Sequence, residues 1–148
     1  MRLLLDTHVA LRAIVDSPRL PQSIRSVLLA PENPLVVSAA SMREIAIKRS
    51  LRRGDRPLWG EAALRYLKGS GYTLLSMGSG PSAVAEGLSG HHPPPFARLL
   101  AAQALTEPLR MVTHNPLLAQ YQKGALPFRC VQEMSDTIGM QRSRTDPR

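Results

Sequence analysis

Five short apolar runs alternate with longer segments of helical spacing, and that alternation leaves few folds open to this chain. The runs are Met1–Leu5, Pro34–Ser38, Tyr72–Met77, Leu109–Thr113 and Pro127–Val131. Between them residues 8–15, Pro21–Ala30, Ala39–Leu51, 58–68, 81–88 and Phe96–Thr106 read as helices. Pro21 stands in a first helical turn, where a missing N–H costs little. Asn115-Pro116 opens one further helical turn. Brief apolar strands joined by helix-length connections predict an α/β fold, with a central parallel sheet of about five strands flanked by helices on both faces. One domain over residues 1–138 accommodates all of these elements, and the polar, basic residues 139–148 read as a flexible tail.

Composition narrows the class further. The 148 residues carry 19 Lys+Arg against 11 Asp+Glu, a formal net charge of +8. With 43% hydrophobic residues the chain can build a core, which argues against disorder as its main state. A lone cysteine, Cys130, excludes an internal disulfide and predicts an inert core thiol in a reducing compartment. No apolar stretch exceeds about five residues, far below the ~20 that cross a bilayer, so a cytoplasmic protein without membrane contact is expected. Eight of the 19 basic residues lie between Arg43 and Lys68, with only Glu44, Asp55 and Glu61 among them. Such a cluster is either an electrostatic footprint for nucleic acid or a solvated helix face. Aromatic residues make up only 4% of the chain, so any grip on nucleic acid falls on phosphates and not on stacked bases. No helix-turn-helix spacing supports a reading as a DNA-binding protein.

In parallel sheets the functional cleft lies beyond the carboxyl ends of the strands. Three polar motifs fall at that edge: Asp6-Thr7, Ser38 shortly before Glu44, and Thr113-His114-Asn115. A carboxylate directly after a buried strand is costly to desolvate unless it meets a cation or hydrogen-bond donors. Asp6 therefore has two readings, a cation ligand or the N-cap of the following helix. Ala40, Glu44 and Lys48 share one face of their helix at i, i+4 spacing.

These residues form a pattern. Leu3-Leu4-Leu5-Asp6-Thr7-His8, Val37-Ser38-Ala39-Ala40-Ser41 leading to Glu44-Ile45-Ala46-Ile47-Lys48, His91-His92 before Pro95-Phe96 and Arg98-Leu99-Leu100-Ala101-Ala102-Gln103-Ala104, and Val112-Thr113 before Asn115 run in order. Together they resemble the PIN-domain family, in particular the ribonuclease toxins of VapBC-type toxin–antitoxin pairs, over residues 1 to about 131. The resemblance implies hydrolysis of RNA phosphodiesters by an endoribonuclease that holds Mg²⁺ or Mn²⁺. It implies a homodimer restrained by a cognate antitoxin. Asp6 and Glu44 would be the metal ligands and, with Asn115, the catalytic set. Thr7, Thr113 and Lys48 would support them, and Arg43, Arg49, Arg52, Arg53 and Arg98 would contact RNA. For Lys48 the alternatives are steadying Glu44 or meeting a phosphate, and for Arg98 they are steering phosphate or anchoring a loop.

The departures from the pattern weigh as much as the matches. Pro94 and Ala97 stand where these toxins usually carry aspartates, the second of them the third catalytic acid, and Asn115 stands where a fourth acid is common. Glu107 is the only acid between Gly87 and Gln132. The expectation is a chain that keeps the fold and partners while its hydrolysis is impaired, with a non-catalytic binder of RNA or antitoxin as the alternative. His91, His92 and His114 lack the close spacing of a zinc site.

Overall fold

In the computed structural model, residues 1–51, 60–88, 95–121 and 126–127 are described. Asp6 sets the first turn of the chain. Its carboxylate accepts the Val9 amide at 2.8 Å, so strand β1 (Leu3–Leu5) passes into helix α1 (Thr7–Ile14) one residue earlier than the spacing alone predicts. Helix α2 (Gln22–Leu29), strand β2 (Leu35–Ser38), helix α3 (Ala39–Ser50), helix α4 (Gly60–Gly69) and strand β3 (Thr73–Leu75) follow. Helix α5 (Ser79–Gly87), helix α6 (Pro95–Thr106), strand β4 (Arg110–Thr113), the short helix α7 (Pro116–Ala119) and strand β5 (Leu126–Pro127) complete the order.

The sheet is parallel throughout, in the order β3-β2-β1-β4-β5. Four strands form its body, and β5 adds a ladder of only two residues beside β4. The rest of the expected fifth strand, with Cys130, lies outside the described residues, as does the expected tail. Strand β3 is shorter than its apolar run because β2 is its ladder partner and that ladder closes at Ser38 opposite Leu75. At the entry to β3, Gly71 adopts φ 79°, a left-handed conformation in which a side chain would be strained.

Alternation along the strands divides the core. Leu3, Leu5, Val37 and Val112 face one way and pack with Val9, Ile24, Ala63 and Leu67 of α1, α2 and α4. Leu4, Val36 and Met111 face the other way and pack with Leu100, Ala101 and Ala104 of α6. Leu3, Leu4 and Leu5 are each 0% exposed, which only a central strand covered on both faces allows. No helix among the described residues is long and apolar enough to cross a membrane.

One buried polar bridge ties the second layer to the sheet. Gln103 of α6 is fully buried; its amide donates to the Ser76 carbonyl at 3.1 Å, and its carbonyl oxygen accepts from the Ser38 hydroxyl. Ser38 in turn accepts the Ala40 amide at 3.0 Å, which starts α3. Ser38 thus works inside the fold and not in the cleft where its position beside β2 suggested a role. Replacing Gln103 by Leu keeps the volume but takes the acceptor from the buried Ser38 hydroxyl, so a loss of about 1–3 kcal/mol is expected. The check is a lower urea midpoint at unchanged slope.

Candidate active site

Strands β1 and β4 are neighbours, and the connections leaving them run to opposite ends of the strand order. A crevice opens where strand order reverses in this way, beyond the carboxyl ends of the strands. Here it is a cleft of about 300 Å³ walled by Asp6, Thr7, His8, Glu44, Lys48 and Ala97, with His114, Asn115 and Pro116 at β4 and Leu100 and Leu118 behind. The two acids that stand 38 positions apart in sequence, at 6 and 44, therefore line one cavity.

Asp6 is 3% exposed, and of its two readings the structure displays the helix cap. Its Oδ1 caps α1 through the Val9 amide, and its Oδ2 accepts from the Thr113 hydroxyl, with His114 Nδ1 at 3.7 Å. Thr113 is itself fixed, because its Oγ1 also accepts the Asn115 amide at 3.0 Å. Burial pushes the Asp6 carboxyl up, but hydrogen bonds from His114, Thr113 and the Val9 amide, aided by the His114 charge, bring it below the ordinary carboxylate range.

Glu44 reaches the cleft because α3 climbs out of the core along one face. Ala40 is 1% exposed and part of the apolar cluster, Glu44 is 7% exposed, and Lys48 is partly open to solvent. The Glu44 Oε2 accepts the Thr7 hydroxyl at 2.6 Å, and its Oε1 pairs with the Lys48 ammonium. Burial again opposes ionisation, and Lys48, Thr7 and the His8 charge overcome it, so the Glu44 carboxyl is also lowered. Of the two readings of Lys48, the structure displays the pairing with Glu44.

The remaining candidates divide. Asn115 lines the cleft, but its Oδ1 accepts the Leu117 amide at 3.0 Å and caps α7 ahead of Pro116. Of the two readings of Arg98, the structure displays the anchor: its guanidinium donates to the Ala85 and Glu86 carbonyls at 2.8 and 3.2 Å, holding the end of α5, and it is not among the residues that wall the cavity. Arg43 is exposed on α3, away from that wall, and Arg49 belongs to the last turn of α3. Arg52, Arg53, His91, His92 and Pro94 lie outside the described residues. One cleft residue had been given no role. His8, the second residue of α1, packs its ring edge-to-face on His114 with centroids 5.4 Å apart. Its signal was its place two residues after Asp6.

No family model matches the sequence, and no curated protein matches it either. Solved structures do match in shape. VapBC2 from Rickettsia felis bound to a promoter DNA fragment aligns at a TM-score of 0.62 and 18% identity, over 88% of this chain and 99% of that one. VapBC-1 from nontypeable Haemophilus influenzae aligns at 0.57 and 20% identity, over 82% and 92%. DNA-bound VapBC from Salmonella typhimurium aligns at 0.56 and 18%, over 86% and 97%. The chain has a VapC-like PIN fold. Identity at this level carries the architecture and says nothing of the chemistry.

The donor set can be tested against the divalent cation that the resemblance implies. Among the described residues only two carboxylates line the cavity, and no group of three or more His, Cys, Asp or Glu is arranged to hold a metal. All four of their oxygens already face protein donors, one of them an ammonium. Ala97 offers a methyl group where an acid would have to stand. Such a set does not fit a hard dication, which needs oxygen ligands and an excess of negative charge.

Because both carboxyls titrate below their unfolded values, their contribution to stability is complete above about pH 4 and is lost as pH falls through the lowered values. Asp6→Asn removes one of the two contributions. Urea midpoints measured against pH should fall steeply for the native chain below about pH 4 and less steeply for Asp6→Asn.

Proposed function

We propose that this chain is the toxin-type member of a toxin–antitoxin pair, directed at RNA and held by a cognate antitoxin, with its hydrolysis of RNA phosphodiesters impaired. The observation that carries this reading is the cleft wall: Asp6 and Glu44 both line it, and Ala97 lines it where the resemblance expects a third acid. The VapC-like fold and the net charge of +8 support it, since a basic surface draws polyanions whatever happens to them afterwards. Arg43, exposed on α3 one position before Glu44, is one of the described basic residues open to a phosphate outside the cleft. Losing one charged ligand at the reacting centre costs several kcal/mol of transition-state stabilisation, on the order of 10³-fold or more in rate.

A second reading, an active endoribonuclease, draws on the same convergence of Asp6 and Glu44. One assay separates the two. Purified protein is incubated with tRNA and Mg²⁺ or Mn²⁺ beside Asp6→Ala and Ala97→Asp. The proposal expects no cleavage above the Asp6→Ala background until Ala97→Asp supplies the acid. Robust cleavage by the native chain that disappears in Asp6→Ala would establish the active enzyme instead.

A further inference from the structure

We infer that Lys48 holds the place of a cation at Glu44, so that the cleft keeps too little negative charge to bind a divalent ion. This goes beyond the reading above and needs no RNA. It rests on who contacts whom. The ammonium of Lys48 pairs with Glu44 Oε1 from one turn along the same helix, so the pair forms with α3 itself. Thr7 takes the other oxygen, and Asp6 is engaged by Val9 and Thr113. The negative charge left over by this arrangement is too small to draw a dication past a resident ammonium. Ala97 is 8% exposed against the same cavity, so nothing on α6 tips the balance back.

Charge explains why Lys48, and not the missing acid alone, sets the cation affinity. An ammonium is a compact point charge with three donors, and beside a buried carboxylate it competes directly with any metal ion. Rebuilding the acid at position 97 adds a ligand but leaves that competitor in place. Removing the competitor should therefore tighten cation binding even when the ligand set is held constant. Arginine at 48 keeps the charge and should keep the exclusion.

Mn²⁺ binding without RNA, followed by calorimetry and by the electron paramagnetic resonance signal of free Mn²⁺, tests this on the full chain. Native protein should show no stoichiometric uptake at micromolar Mn²⁺. In the Ala97→Asp background, Lys48→Met should bind Mn²⁺ at least about tenfold more tightly than Lys48→Arg. Far-UV circular dichroism confirms that each variant is folded; Lys48 is partly exposed, so its replacement opens no cavity. Equal affinities in the Met and Arg variants, or no binding by either, would overturn the inference. So would micromolar uptake by the native chain. RNA cleavage, present or absent, leaves these isotherms unchanged, so this inference and the toxin reading stand or fall separately.

Discussion

A single buried carboxylate holds three elements of this fold in register. Asp6 receives the Val9 amide, in the first turn of α1, on one oxygen and the hydroxyl at the end of β4 on the other, while its own amide donates to the Val112 carbonyl at 3.1 Å. The carboxyl ends of β1 and β4 and the start of α1 are therefore tied at one point. An ionised group this deeply buried is tolerable only because its partners supply donors on every side. Structure and chemistry share the residue. Whatever reaction the cleft performs or has lost, Asp6 also fastens the end of β4 to the start of α1.

Glu44 follows the same logic with a different partner. It leaves the core on a helix face that begins at the buried Ala40, and its charge is met by Thr7 from α1 and Lys48 from its own helix. Thr7 thereby links α1 to α3 across the cleft mouth, beside the link that Asp6 makes to β4. The two carboxylates are locked into separate hydrogen-bond networks, one centred on β4 and one on α3. Each network is complete within the protein. That completeness, more than the bare number of acids, makes the cleft a poor host for a hard dication.

Much of this was legible in the residues, and the remainder has identifiable causes. The alternation of apolar runs and helical segments gave the parallel sheet, and the polar residues that close Met1–Leu5 and Leu109–Thr113 marked its working edge. The cap at Asp6 and the pairing of Glu44 with Lys48 were readable because both depend on local spacing. Gln103 was not, since an amide inside an apolar helix reveals its partners only when β2 and the residues after β3 are placed beside it. Arg98 was ambiguous for the same reason: its partners are carbonyls at the end of another helix, 12 and 13 positions away. Asn115 kept its place at the cleft while its side chain turned to capping, a competition that Asn before Pro at a helix start invites.

Binding and cleavage ask opposite things of a wall such as this one. Hydrolysis assisted by a cation requires several acids close together, and without the cation those acids repel the phosphates they are meant to serve. An alanine at 97 relieves part of that repulsion, and Lys48 relieves more by neutralising Glu44. Together Ala97 and Lys48 thus make the cleft easier for a polyanion to approach than a wall of unanswered acids would be. The +8 surplus on the whole chain acts in the same direction, through forces that reach about a Debye length, roughly 8–10 Å at physiological salt. That balance is what the proposed reading, a chain that holds RNA more readily than it cuts it, asks of the cleft, because both carboxylates described there are already answered by neighbours of their own.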